Sequence, residues 1–352
     1  MMSMRDSPTD IPAYRLPNWN RQVRLMRRPS GIPQAEDFTI ATAAIPRPAA
    51  GQFLVRNIYL SVDPAQRGWA SSEANYAAPV VLGDPMRALA VAVVVESNDP
   101  LFEPGAFLYG WFDWQDYAVA DASKVVLQAR KALPLSAFAS LLGINGLTAF
   151  LALTELGRPV DGDALLVSTA AGSVGSFVGQ IGRILGCSTF GLTGDDRKAE
   201  RCIARYGYDA VVNYKAAELG RALEGMAPGG FDIYFDNTGG DILDAALRHM
   251  KPRGRVVQCG TAAISDWTAG PLGLRNEREV LTRRLVWSGF VLFDHAARYA
   301  EAADQLARWF LEGRLAYDED ISGTIAAAPG AIAALYQGQN TGKKLVYVGG
   351  ND

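Results

Sequence analysis

The pattern of apolar and polar positions changes character once along this chain. From Asn20 to about Pro134, short apolar runs are cut by proline and glycine, as in "QFLVRNIYLSVDP", "RALAVAVVVES", "AFLYGWFDWQDYAVA" and "KVVLQA". Runs of this length, bounded this way, predict a β-rich region. From Ala164 onward, strand-length runs alternate with helical periodicity. "ALLVST", "STFGLT", "AVVNY", "FDIYFDN", "GRVVQCG" and "LVWSGFVL" predict strands, and residues 173–185, 196–205, 217–226 and 242–250 predict helices between them. Regular β/α alternation predicts an α/β fold built on a doubly wound parallel sheet. A longer amphipathic helix in "HAARYAEAADQLARWFLEGRL" then leads to a β-like tail, "GKKLVYVGG", expected to return to the first region.

Two textures in 352 residues agree with two domains, because a single core rarely grows to that size. Net charge is −3 with no long basic run, which argues against nucleic acid or an anionic membrane surface as partner. The apolar stretches are too short and too interrupted for a transmembrane helix. Residues 1–18 are polar and proline-bearing, and read as a tail without the apolar core of a signal peptide. Cys187, Cys202 and Cys259 are the only cysteines, far apart and unpaired in pattern, which suggests a reducing, cytoplasmic setting. No Cys, His or carboxylate cluster has metal-ligand spacing, and the two histidines, His249 and His295, are expected at the surface.

Chemistry concentrates in "TAAGSVGSFVGQIGRILG", directly after the run Ala164-Leu165-Leu166-Val167. Ala170-Ala171-Gly172-Ser173-Val174-Gly175 is a variant of the dinucleotide fingerprint, with alanine at the usual first glycine. A strand before and a helix after are the context that motif needs. Backbone amides there approach a pyrophosphate, and the helix N-terminus adds oriented N–H groups and a favourable dipole. Gly175, Gly179, Gly182 and Gly186 share one helix face. Since glycine costs a helix about 1 kcal/mol against alanine, such a face implies close approach by something, either a ligand or the sheet.

The second strand bears on which nucleotide. An NAD site places an acid roughly 20 residues after the loop, on the ribose 2′-hydroxyl. Here the tip carries Thr193 and Gly194, followed by Asp195, Asp196, Arg197 and Lys198. Gly194 leaves room for a 2′-phosphate that Arg197 and Lys198 neutralise, which favours NADPH. Two competing readings stay open: Asp195 as the ribose acid of an NADH site, and Asp196 as the cap of the next helix.

With these segments in hand, the chain resembles the zinc-independent medium-chain dehydrogenase/reductases of the prostaglandin reductase, 2-alkenal reductase and curcumin reductase group. The matching segments run from "NRQVRLMRRPSG" through "YLSVDP", "GWFDWQDY", "LLGINGLTAF", "AAGSVGSFVGQIGRILGC", "VVNYK", "YFDNTGG" and "MKPRGRVVQCG" to "GQNTGKKLVYVG". The resemblance implies a Rossmann domain at 139–308 and a split, β-rich, GroES-like catalytic domain at 1–138 with 309–352. It implies NADPH-dependent reduction of the C=C bond of α,β-unsaturated carbonyls, a small-molecule substrate and a homodimer. Carried over by motif, Gly172, Ser173, Val174 and Gly175 contact the pyrophosphate, and Lys198 contacts the 2′-phosphate. Tyr214 and Asn237 flank the adenosine and ribose, and Cys259 and Gly260 run along the cofactor. Phe290, Val291 and Leu292 line the nicotinamide end, and Asn340 reaches the cofactor.

The chain also departs from the group. Where relatives commonly have "DPYMR" it has "DPAQR", so Ala65 and Gln66 replace a tyrosine and a methionine. "SxYN" becomes "AAISDWTAG" with Trp267 near that place, a glycine-bearing "MxGG" becomes Met86-Arg87-Ala88-Leu89, and Thr282 stands where some members have another tyrosine. The pocket is therefore expected to be wider and more polar unless Trp267 fills it. Tyr76 is the remaining pocket tyrosine suited to be the proton donor, with protonation from solvent as the alternative. Two other activities fit the same sequence: a quinone reductase, and an NADPH-binding protein with little turnover.

Overall fold

A computed structural model of the chain describes residues 19–73, 76–129, 133–216, 218–263, 273 and 275–350. In chain order its first strands are β1 (Asn20–Leu25), β2 (Phe38–Ala43) and β3 (Phe53–Ser61), followed by helix α1 (Ala65–Ala70) and strands β4 (Leu89–Ser97), β5 (Phe107–Trp111), β6 (Tyr117–Ala120) and β7 (Val125–Gln128). The middle of the chain forms α2 (Ile144–Ala152), β8 (Ala164–Ser168), α3 (Ser173–Ile184), β9 (Ser188–Thr193), α4 (Asp196–Tyr206), β10 (Ala210–Asn213), α5 (Leu219–Met226), β11 (Phe231–Asp236), α6 (Gly240–Arg248) and β12 (Met250–Gln258). Then come α7 (Glu277–Arg283), β13 (Val286–Gly289), α8 (Tyr299–Leu311), β14 (Glu319–Gly323), α9 (Ala328–Tyr336) and β15 (Lys343–Tyr347).

The chain divides into two compact units, residues 1–143 with 319–352, and residues 144–318. The first holds a two-stranded sheet, β1–β2, and a seven-stranded sheet in the order β14-β15-β3-β4-β5-β7, with β6 also paired to β3. All nine residues of β3 are buried, as befits a strand flanked on both edges. Its buried charge is matched: Arg56 lies 2.7 Å from Asp116 and donates to the Val348 carbonyl at 2.6 Å, so that charge does not stand alone. The tail does return here, with β15 antiparallel to β3 and Leu345 opposite Ser61.

The second unit is a six-stranded sheet in the order β10-β9-β8-β11-β12-β13, parallel throughout. Strand order reverses between β8 and β11, which is the Rossmann arrangement, with its crevice at the carboxyl ends of the strands. Leu166, Leu192, Phe231, Tyr234 and Val256 from the sheet bury against Leu223, Ile242 and Leu247 from α5 and α6.

Three boundaries move from the sequence expectation. The helix expected at 242–250 ends at Arg248, and Met250 opens the next strand opposite Phe231; Pro252 cannot continue a helix. The strand expected at 285–292 ends at Gly289. A domain divide at 308/309 falls inside α8, whose Trp309 packs on Phe150 at 5.7 Å; the units part instead at 318/319. Among the described residues, no helix is long and apolar enough to cross a membrane.

Candidate functional site

The cofactor-site residues predicted in the second unit lie in or just after the carboxyl ends of parallel strands, so the topology gathers them on one edge of the sheet. The loop after β8 is shaped by its neighbours. Thr169 takes φ +53, a left-handed conformation costing a side-chain-bearing residue about 1–2 kcal/mol, and shares a hydrogen bond with Thr238 at 2.9 Å. Ala170 stands where relatives of the fingerprint have glycine. It is fully buried, and Gly191 makes room for it, since a Cβ there would lie 2.8 Å from the Ala170 methyl.

Gly172 caps α3 without a side-chain hydrogen bond, so the first-turn N–H groups are left to an outside acceptor. A Cβ on Gly175 would stand 2.3 Å from the Thr169 carbonyl oxygen. Residues 171–174 are only partly buried, and the Ser173 hydroxyl is positioned by the Asn145 amide at 3.0 Å. The rest of the glycine face has a protein partner. Cβ atoms on Gly179 and Gly182 would meet the Tyr208 ring at 2.1 Å and Leu165 at 2.4 Å. Close helix packing accounts for those two, and only Gly172 and Gly175 bear on a ligand.

At the tip of β9, Thr193 is buried and Gly194 opens a space bordered by two groups: a Cβ there would lie 2.9 Å from the Tyr214 hydroxyl and 3.1 Å from Lys215 Cε. The helix cap is Asp195, not Asp196; it accepts from the Lys198 backbone at 3.1 Å, while Asp196 accepts from Asn213 at 2.9 Å. Arg197 is 92% exposed along its side chain, with its Nε 3.9 Å from Asp195. Lys198 has its pKa lowered, first by burial and further by Lys215, with Asp195 opposing. An ammonium group depressed by burial and by a neighbouring ammonium is relieved by an anion. Lys215 was missed by the sequence reading although it sits inside "VVNYK"; its place beside Gly194 needed the turn after β10.

Asn237 spends its amide on the neighbouring strand, donating to the Ser168 carbonyl at 2.8 Å. Asp236 beneath it is fully buried and accepts from Ser168 Oγ at 2.9 Å, Tyr234 at 2.8 Å and the Thr238 backbone at 2.9 Å. This carboxylate pins the loops after β8 and β11 together. Gly260 is required by space, since a Cβ would lie 2.7 Å from the Asn237 carbonyl. Burial, then Asp236, pushes the Cys259 thiol up to about 12, so it is no nucleophile at neutral pH. Phe290 and Leu292 are largely buried while Val291 is half-buried. His295 stacks on Phe290 at 4.7 Å and 19°, and His249 lies 2.9 Å from the Ala245 carbonyl; both are half-buried rather than surface residues.

Of the remaining predicted residues, Asn340, Ala65, Gln66 and Tyr76 belong to the first unit and Thr282 to the second. Asn340, in the turn before β15, donates to Gly342 at 2.7 Å. Ala65 opens α1 and is half-buried. Gln66 is not a pocket side chain: it is fully buried, accepts from the Asp63 backbone at 3.0 Å and donates to the Arg87 carbonyl at 3.1 Å. Tyr76 is 53% exposed. Thr282 turns back onto its own helix, donating to Arg278 at 2.7 Å. Trp267 lies outside the described residues.

The groups present fit a phosphorylated dinucleotide: an uncapped helix start after a strained loop, and two neighbouring lysines beyond the tip of β9, one of them beside Gly194. Among the described residues, no group of three or more His, Cys, Asp or Glu could hold a metal ion.

Comparison with known proteins gives the same picture. The family described as N-terminal domain of oxidoreductase matches residues 21–127, and that described as zinc-binding dehydrogenase matches residues 173–308. NADPH-dependent curcumin reductase of Escherichia coli is 33% identical over 95% of this chain and 98% of its own length. The NADP-dependent 2-alkenal reductase of Nicotiana tabacum is 33% identical over 94% of this chain and 97% of its own. The crystal structure of CurA from Vibrio vulnificus in complex with NADPH superposes with a TM-score of 0.88 at 35% identity, covering 93% of this chain and 99% of that one. With likeness of this extent across both units, the chain belongs to the zinc-independent medium-chain dehydrogenase/reductases of the prostaglandin reductase, 2-alkenal reductase and curcumin reductase group.

Proposed function

We propose that the protein reduces the C=C bond of α,β-unsaturated carbonyls with NADPH and without zinc. The observation that carries this reading is the neighbouring pair of ammonium groups, Lys198 and Lys215, with Lys215 beside Gly194, one strand away from the uncapped start of α3. Gly172, Ser173, Val174 and Gly175 hold the pyrophosphate through backbone N–H groups. Thr193 and Gly194 leave space for the 2′-phosphate, and Lys198, Lys215 and the outlying Arg197 neutralise it. Tyr214 and Asn237 border the adenosine and ribose, Cys259 and Gly260 line the cofactor by backbone, and Phe290, Val291 and Leu292 back the nicotinamide. When bound, NADPH supplies the hydride; the protein supplies position and electrostatics. The relatives named for curcumin and 2-alkenal reduction support an enone or alkenal as the small-molecule substrate.

NADPH oxidation measured with a panel of enones, alkenals and quinones tests the reading. Turnover with enones or alkenals is expected, matched by one saturated carbonyl per NADPH consumed. Turnover with quinones alone would assign a quinone reductase, and binding without turnover a carrier.

The homodimer expected for the group is supported by β13, the sheet-edge strand, where Val286 and Trp287 are 56% and 41% exposed. A bare apolar edge invites pairing with a second copy. Light scattering on wild type and Trp287→Lys tests it, with a dimer converting to monomer as the expected result. Unpaired cysteines support a cytoplasmic setting.

A further inference from the structure

Asn145, the second residue of α2, is a polar side chain in apolar company. Ile144, Leu147, Phe150 and Leu151 on the same helix are buried with it, and Asn145 itself is only 5% exposed. Its amide is half used. Nδ2 donates to Ser173 Oγ at 3.0 Å, whereas Oδ1 is buried and accepts from nothing among the described residues. An unpaired buried carbonyl oxygen works against folding, and an aliphatic side chain of the same size would avoid that cost. A group kept on such terms points to a role outside stability.

The one bond it makes has a direction. Ser173 opens α3, and a serine there can turn its oxygen back onto the backbone N–H groups of its own first turn. That would occupy the donors left open by Gly172, which caps the helix without a side-chain bond. An amide nitrogen only donates, so the Ser173 oxygen must accept from Asn145, and its own proton is left for another group. Among the described residues no acceptor takes that proton. Ser173 is half-buried, at the turn whose open N–H groups suit an anion.

We propose that Asn145 is a positioning residue of the nucleotide site. It holds the Ser173 oxygen as an acceptor, keeps it off the N–H groups of α3, and frees the hydroxyl proton for the pyrophosphate. This rests on the cofactor reading, and both residues lie within the second unit. The pyrophosphate thereby gains a side-chain donor beside the backbone ones, in a charge-assisted bond roughly twice as strong as a neutral one. The contribution is blind to the 2′-phosphate. Lys198 and Lys215 choose between cofactors, while Asn145 and Ser173 hold whichever is chosen.

The test is equilibrium binding to the purified full chain. NADPH and NADH are followed by fluorescence titration, and adenosine 2′-monophosphate, which lacks the pyrophosphate, by calorimetry. Asn145→Leu should weaken NADPH and NADH alike, by about tenfold, the loss of one hydrogen bond to a charged group. Its affinity for adenosine 2′-monophosphate and its thermal midpoint without ligand should not fall. Ser173→Ala should show the same tenfold loss. The double variant should also lose about tenfold rather than a hundredfold, because the first residue acts through the second. Asn145→Asp keeps the shape but makes Ser173 donate to position 145, so it should weaken both dinucleotides at least as much. Losses that multiply in the double variant would overturn the proposal, as would a loss confined to NADPH, a matching loss with adenosine 2′-monophosphate, or wild-type binding in Asn145→Asp. Should the wild type bind NADPH but reduce no enone, the enone reading fails by itself, and the same titrations still decide the role of Asn145. A wild type that binds neither dinucleotide overturns both.

Discussion

Tyr208 lies against Gly179 so closely that a single methyl on that glycine would stand 2.1 Å from its ring, while the Tyr208 hydroxyl donates to the Gly175 carbonyl at 2.6 Å. One buried ring thus holds both the middle of α3 and the turn that begins it. Gly179→Ala would gain about 1 kcal/mol of helix propensity but must displace a fully buried ring, at about 1–3 kcal/mol or more. The expected result is a lower urea midpoint together with weaker NADPH binding. Gly225, in α5, has nothing within 4 Å of its would-be Cβ, so Gly225→Ala should stabilise by about 1 kcal/mol. Equal effects at the two sites would remove the packing explanation.

Lys198→Ala should weaken NADPH about ten- to a hundredfold, the worth of a charge-assisted bond at roughly 1.5–3 kcal/mol, and leave NADH nearly unchanged. Lys215→Ala should move in the same direction. Fluorescence titration with both cofactors decides it, and equal loss of NADPH and NADH would mean that neither lysine faces the 2′-phosphate.

Asp113 is held at φ +61, and burial, only partly offset by the Ala88 backbone, Arg87 and Lys124 and aided by Asp84, pushes its carboxyl up to about 6. In the unfolded chain it titrates near its ordinary value, 3.8. The folded protein therefore keeps a proton that the unfolded chain has already lost. Stability from this group is full below about pH 4 and is lost as pH rises through 6, by about 3 kcal/mol at most. Asp113→Asn, which also tolerates the left-handed backbone, should be more stable than wild type at pH 7.5, with the gap closing at pH 4.5. Parallel curves in denaturant melts across that range would refute the shift.

Gln66 and Ala65 should separate. Gln66→Met leaves a buried N–H and a buried carbonyl without partners, each costing about 1–3 kcal/mol, so stability should fall while substrate preference holds. Ala65→Tyr should instead shift kcat/KM towards small alkenals over bulky enones, by the 1–3 kcal/mol that shape can supply. An unchanged ratio would show that Ala65 does not border the substrate.

The second unit was legible because its strands are parallel and buried on both faces, which writes them as short apolar runs between helices. "STFGLT" maps onto β9 residue for residue. What escaped were effects created by tertiary neighbours. The start of β12 escaped because Met250 closed the expected helix, and only the fold sets it opposite Phe231. The glycine face left two readings open, a ligand or close packing, and at Gly179 and Gly182 it is the footprint of Tyr208 and Leu165. Gln66 looked like pocket polarity and is a buried clamp, because only the fold brings the Arg87 carbonyl to its amide. Lys215 closed a quoted motif without being singled out, because its place beside Gly194 depends on the turn after β10, which no local periodicity encodes.

The return of β15 to β3 sets the order in which the protein can be completed during synthesis. Residues 144–318 are contiguous and can pack as soon as they leave the ribosome. The first unit cannot, because β3 gains its β15 neighbour and Asp63 gains the Lys343 ammonium only after the whole second unit has been made. Until then β3 presents an unpaired apolar edge, the kind of surface that joins strands of different molecules. Truncations near the carboxyl end should therefore spare the nucleotide-binding unit and turn the other into an aggregating species.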